Sequence, residues 1–292
     1  MKIQINKDGA QTTIDVSAEE VSQVISGFLN LKQSVMAAKP EPEPEKTPVA
    51  FTSAEGCSWD ELKCICGAGE AHLHFKPGMT FRTVWNEHPV EFVTVKVEHD
   101  RLLIQATHAF IDMTFDASEK EKSADGTPNP NRNRRYGYNS WEESAIRQYL
   151  NSSDAKGKWW KARSPWDMPP KELDDVPGFV AGFADDIQFV HCLQPSQVIT
   201  AQNGVDGKGV VITTDRFFLP SVTELFGRNN NGHMEGERFD IDLAKVGQDE
   251  YWWLRSPIVG LAHVVFCVNA AGTLPHGNAN IGHGCAPACW IG

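Results

Sequence analysis

The residues closest to a chemical site are Cys57, Cys64-x-Cys66 and His72-x-His74, which supply the thiolate and imidazole ligands that zinc favours in tetrahedral sets. Their spacing is not that of two paired C-x2-4-C knuckles. The stretch reads better as loop and strand with incidental thiols, because alternate residues of a strand share a face. Cys285-x-x-x-Cys289 could form a disulfide, but in a reducing compartment it is a pair of small buried residues. Asp174-Asp175 and Asp185-Asp186 read as solvated surface. GAGEAH at Gly67 lacks the third glycine of a dinucleotide fingerprint, and no GxSxG, GxxxxGK[ST] or HExxH motif occurs. Gln194-Pro195-Ser196 lacks the carboxylate or amide that a lectin-type calcium site needs after its proline. The expectation is a chain with no catalytic residues, no metal and no cofactor.

A net charge of −11 over 292 residues argues against nucleic acid and anionic membrane surfaces as partners. The one basic run, Asn131 to Arg135, is a solvated loop. No apolar run reaches the roughly 18 residues of a membrane span, and the polar start MKIQINKDG has no leader-like apolar region. Seven cysteines, an odd number, imply reduced thiols and synthesis in a cytoplasm.

Three segments organise the chain. In residues 1–37, Ile3 and Ile5, then Ile14 and Val16, alternate with polar residues around an Asp8-Gly9 turn, which predicts a hairpin. Ser17-Ala-Glu-Glu20 is a capping box that opens a helix. Val21, Val24, Phe28, Leu31 and Val35 form a short heptad seam on it. This small ββα module either packs its helix on its own hairpin or self-associates through residues 17–37. Residues 38–50 alternate Pro and Glu as an extended linker. The main domain, 51–292, opens with a β-meander over 75–115, followed by a polar loop at 117–138. Ser140-Trp-Glu-Glu143 predicts a helix burying Trp141, Ala145, Ile146, Tyr149 and Leu150, and Ser221-Val-Thr-Glu224 predicts a second, short one. The remainder should be short strands and loops.

The last 37 residues, Ser256 to Gly292, carry no charged side chain. A buried strand with Gly-rich turns would shed charge for packing reasons, and a display surface built from Asn, His and aliphatic residues would also lack it. The loop Pro275–Gly284 is expected to be exposed, and Arg255 to be structural, paired with a carboxylate or with carbonyls.

From Phe75 onward the chain resembles a family of uncharacterised bacterial and phage domains. The carriers are YGYNSWEESAIRQYLNS (Tyr136–Ser152), TTDRFFLPSVTELFG (Thr213–Gly227), EYWWLRSP (Glu250–Pro257), FCVNAAG (Phe266–Gly272) and GCAPACWI (Gly284–Ile291). Members are similar to the variable proteins of diversity-generating retroelements. In those proteins adenine-templated mutagenesis yields NNY codons, which cannot encode Lys, Glu, Gln, Met or Trp. The tail lacks all of these except Trp290. The resemblance implies an α+β, C-type-lectin-like domain of short strands with two or more helices. It implies that Trp252, Leu254, Arg255, Pro257, Phe266, Val268, Gly272, Gly284, Pro287 and Ala288 are frame, and that Ile258, Leu261, His263, Cys267, Asn269, His276, Asn278, Asn280 and His283 between them are the ligand-binding residues. It further implies a phage or prophage recognition protein, virion-associated, that binds a host-surface protein or glycan. A virion decoration or tail protein, and a lectin-fold-related enzyme using Cys or metal, are the alternatives.

Overall fold

The computed structural model describes residues 2–7, 10–15, 52–53, 56–129, 132–205, 207–245 and 251–292. The chain divides into two compact units, Met1–Glu45 and Lys46–Gly292. In the first, β1 (Lys2–Lys7) and β2 (Ala10–Asp15) pair antiparallel with Lys7 opposite Ala10, the register that the Asp-Gly turn signal implies. The expected helix from Ser17, its heptad seam and the Pro/Glu linker lie outside the described residues.

The second unit is α+β, mostly strand with a few short helices. Its larger sheet has seven strands and curls into a half-barrel. The edge strand β3 (Thr52–Ser53) is followed by β4 (Met79–Trp85), β5 (His88–Val97) and β6 (Leu102–Ala106). β16 (Ala288–Ile291) lies beside β6 and carries both β8 (Leu193–Gln194) and β11 (Phe217–Phe218). β4, β5 and β6 are the expected meander. It stops at Ala106, because the next strand, β7 (Asp112–Thr114), joins the other sheet. Asn86 and Glu87 take positive φ of 47° and 66° at the β4–β5 turn, the left-handed pair that a tight hairpin demands. β6 runs out opposite Phe92, so the start of β5 has an outer edge that β6 does not cover. Pro89 sits on that edge and has no N–H to offer.

The second sheet has five strands in the order β14 (His276–Asn278), β13 (Val264–Val268), β12 (Trp252–Pro257), β15 (Gly282–Gly284) and β7. A two-stranded ribbon, β9 (Ser196–Ala201) with β10 (Val210–Asp215), completes the strands. The core between these layers is aromatic. Phe179 meets Phe217 edge to face at 4.9 Å, and Phe183 meets Phe179 at 5.3 Å, the T-shaped geometry that ring quadrupoles favour.

The helices correct three expectations. The Cys57–Cys66 stretch is not loop and strand: α1 (Trp59–Gly67) begins there, because the Ser58 side chain accepts from the Glu61 N–H at 3.2 Å. His72 and His74 fall on the short α2 (Ala71–His74), not on a strand. On α1, Cys66 is buried and Cys64 exposed. Among the described residues no group of three or more His, Cys, Asp or Glu is placed to hold a metal ion. All seven cysteines are free.

The third correction concerns α3 (Ala145–Leu150), which starts after Ser144, not at Ser140. Ser144 accepts from Arg147 N at 3.3 Å, and the buried Asp116 carboxylate accepts from Ala145 N at 3.1 Å. Trp141 therefore precedes the helix, although it is buried with Ala145, Ile146, Tyr149 and Leu150 as expected. α4 (Ile187–Cys192) is capped by Asp186. At α5 (Val222–Phe226) both halves of the Ser221/Glu224 capping box are present, and the helix ends on Gly227 at φ 65°. Among the described residues no helix is long and apolar enough to cross a membrane.

Candidate functional site

The charge-free tail is part frame and part surface, and the motifs before it decide which. Arg255, on β12, is 1% exposed. Its guanidinium donates to both Glu224 carboxylate oxygens, at 2.6 and 2.9 Å, and to the carbonyls of Leu219, Ile199 and Glu235. This is the expected structural arginine. Next to it Ser256 donates to Glu235, which also accepts from Ala201 N at 2.9 Å. Burial pushes the Glu235 carboxyl up, and Arg255 and these hydrogen bonds only partly oppose it. The LRSP and SVTE motifs thus meet in one buried polar knot.

A second knot pins the loop after β12. Asn139, fully buried, donates its amide to the carbonyls of Leu261 (2.6 Å) and Val264 (2.8 Å), and its own Oδ1 accepts from Asn203. Gly260 N donates to the Asn203 carbonyl at 2.8 Å, tying in the 203–205 loop. Gly137 has φ +87°, and a Cβ there would fall 2.5 Å from the Asp116 carbonyl and 2.8 Å from Ala279. Only glycine fits, so the Tyr136–Asn139 segment can lie flat against the 279–280 turn, where Asn280 N donates to the Tyr136 carbonyl. The chain between these motifs is fixed the same way. Asp215 accepts from Trp141 and Arg147, and Asn151 bonds the backbone of Arg216 and Phe217.

On this frame sit the residues expected to bind. Leu261 is 39% and Val259 47% exposed, on a turn held from below by Asn139. Ile258 and His263 are half-buried at its two ends. The His263 ring lies 5.5 Å from exposed Tyr136, and its Nδ1 is buried without a hydrogen-bond partner. Burial, then the nearby Arg135, lowers its pKa. Asn280 is half-buried and donates to Ser118 at 3.0 Å. His276 is exposed and Asn278 half-buried on β14. His283, on β15, stacks on exposed Tyr251 at 5.3 Å and lies 4.4 Å from the buried Trp253 ring. Burial holds its imidazole below the usual histidine range, partly offset by Asp112. Gly277 lies under this stack: an added Cβ would come 2.9 Å from Ile281 and 3.0 Å from His283.

Cys267 does not belong to this surface, and half-buried Asn269 has its side-chain oxygen engaged locally. Cys267 is 0% exposed on β13, so it packs in the core and its thiol is pushed up to about 12 by burial. β13 is covered on both faces, with Val264, Val265 and Val268 also buried, and Cys267 pairs with the buried Trp253 of β12. Asn269 is spent on its own turn, accepting from Ala271 N and Thr273 N. The loop expected to be exposed over Pro275–Gly284 contains β14 and β15, and its centre, Ala279, is fully buried. Tyr136, Tyr251, Val259 and Ile281 were missed. Tyr136 and Tyr251 precede the charge-free segment and sit inside motifs that otherwise form frame, so only three-dimensional placement shows that they are exposed.

Residues 103–292 match a family described as a domain of unknown function (DUF6273). The chain belongs to this family. The DUF6273 match begins within β6, later than the Phe75 suggested by the motifs, and takes in all the motif residues described above. No curated protein and no solved structure matches the chain.

Proposed function

We propose that the chain is a non-enzymatic recognition protein, whose C-terminal domain is a C-type-lectin-like frame presenting the surface around Tyr136, Val259, Leu261, His263, Ile281 and Tyr251. The observation that carries this reading is the pinning of an uncharged, partly apolar loop by a buried asparagine. Exposed aliphatic and aromatic side chains on rigid backbone are what a contact patch uses as anchors, and Asn and His at its margin adapt to either donors or acceptors. The partner is a protein or glycan on a host surface, the setting a phage or prophage gene product would meet. The residue bias of the tail accords with a retroelement-diversified segment. Self-association through residues 17–37 would raise avidity.

The thiols give little support to an enzyme. Burial pushes Cys66 and Cys192 up to about 11, and Cys57, Cys267, Cys285 and Cys289 are also raised, which disfavours the nucleophilic thiolate.

The test is a cell-surface binding screen of the full chain against a variant with Val259, Leu261 and Ile281 changed to Ser and Tyr251 to Ala. The reading requires bound partner for the first and loss with an unchanged melting profile for the second. Equal binding by both would refute it. A near-copy of the tail-coding DNA with adenine-only mismatches beside a reverse transcriptase gene would separately test diversification.

A further inference from the structure

A cleft of about 580 Å³, lined by none of the tail residues, opens where the β4–β5 hairpin meets the 107–110 segment. That is within the usual size of small-ligand sites, about 300–1,000 Å³. Its apolar wall is Trp85 and Phe110, whose rings meet edge to face at 5.2 Å. The indole N–H is already used, donating to the Phe179 carbonyl at 3.1 Å, so the half-buried ring presents only carbon surface. Gly182 allows this seating: a Cβ there would fall 2.2 Å from the indole nitrogen.

The polar wall is different in kind. Arg82 and Glu91 are joined at 3.1 Å and neutralise each other. His88 and His108 stand exposed on the two sides of the cleft. The Thr107 hydroxyl donates to the Glu91 carbonyl at 3.1 Å and meets His108 Nδ1 at 3.0 Å.

We infer that this cleft binds a neutral sugar unit, its C–H face on the Trp85 and Phe110 rings and its hydroxyls on His88, His108 and the Arg82–Glu91 pair. A carbohydrate ring combines an apolar face with a rim of groups that both donate and accept. The cleft offers the matching halves and no unbalanced formal charge for an ionic ligand. Pro89, with no N–H on the uncovered edge of β5, disfavours an extended peptide adding there as a strand. The site is separate from the tail surface and does not depend on its role.

The experiment is calorimetric titration of the full chain with a panel of neutral mono- and disaccharides at millimolar concentration. At least one is expected to bind saturably. His108→Ala should weaken it by about tenfold, and Trp85→Phe, which keeps a ring in the wall, by less; a tenfold loss corresponds to one lost hydrogen bond of about 1.4 kcal/mol. Leu261→Ser should bind the sugar as the parent does. The inference is overturned if no sugar in the panel binds, if binding survives both His88→Ala and His108→Ala unchanged, or if Leu261→Ser abolishes it. The last result would move sugar binding to the tail surface and leave the recognition reading standing.

Discussion

The pocket around Arg255 closes its polar groups on partners, whereas the turn that begins a few residues later leaves Val259 and Leu261 to solvent and His263 Nδ1 without a partner. Both stretches lie in the charge-poor end of one chain, and both are held by side chains from earlier motifs. Glu224 and Glu235 hold the first and Asn139 holds the second. The difference is what the holding leaves over. Around Arg255 a satisfied network fixes the frame and has little capacity for a ligand. At the turn, Asn139 takes the backbone carbonyls and frees the side chains. The charge-free segment starts one residue after Arg255, so the boundary seen in the sequence falls close to the change from closed knot to open turn.

The largest effect should come from Arg255→Met. It strands Glu224 and Glu235 in the interior, and breaking a buried pair this way costs about 3–5 kcal/mol, read as a lower denaturant midpoint. A near-normal midpoint would show that the knot is not what sets the frame. Gly137→Ala should follow, at about 1–3 kcal/mol, because both the positive φ and the Asp116 carbonyl oppose a side chain. Asn139→Ala should cost about 1–3 kcal/mol by leaving the Leu261 carbonyl unmet and the Val264 carbonyl with Ile258 N as its remaining donor. It should also speed hydrogen exchange in the 258–264 turn while the amides of β12 stay protected. Uniform exchange across both would erase the distinction between pinned turn and frame.

Acid titration separates the knot from His283 on β15 by sign. Glu235 has a raised pKa in the folded state, so its contribution to stability is present below the unfolded carboxyl range and fades as pH rises through the folded value. His283 has a lowered one, so its contribution is present above about 6.5 and fades as pH falls through the folded value. His283→Gln should flatten the slope of stability on the acid side of neutrality, whereas Glu235→Gln should flatten the slope at the carboxyl end. The smallest effect on folding is expected for Leu261→Ser, within about 0.5 kcal/mol, together with loss of partner binding. A large destabilisation there would reassign the turn to the frame.

Much of the frame was legible in the sequence. The Ser221 capping box, the hairpin of β1 and β2, the β4–β6 meander and the structural role of Arg255 follow from local patterns that carry their own cause. What escaped depended on distant partners. Ser140 and Ser144 both offer a cap, and the choice falls to Ser144 because Asp116 reaches Ala145 N. Ser58-x-x-Glu61 carries the same cap signal, but the i, i+2 spacing of Cys64 and Cys66 beside it fits a strand face equally well. Cys267 is buried because other elements cover both faces of β13, and the local sequence does not say what lies against a strand. The exposed tyrosines were hidden by their setting among frame residues.

The pairing of β6 with β16 joins Leu102 to Ile291, about 190 residues apart in the chain. Closing so long a loop carries its entropic cost before any ladder contact repays it. The domain should consequently reach its native state slowly, and in the meantime the bare strand β6 is open to wrong partners. Any source of this protein, natural or recombinant, has to shield that strand during the wait.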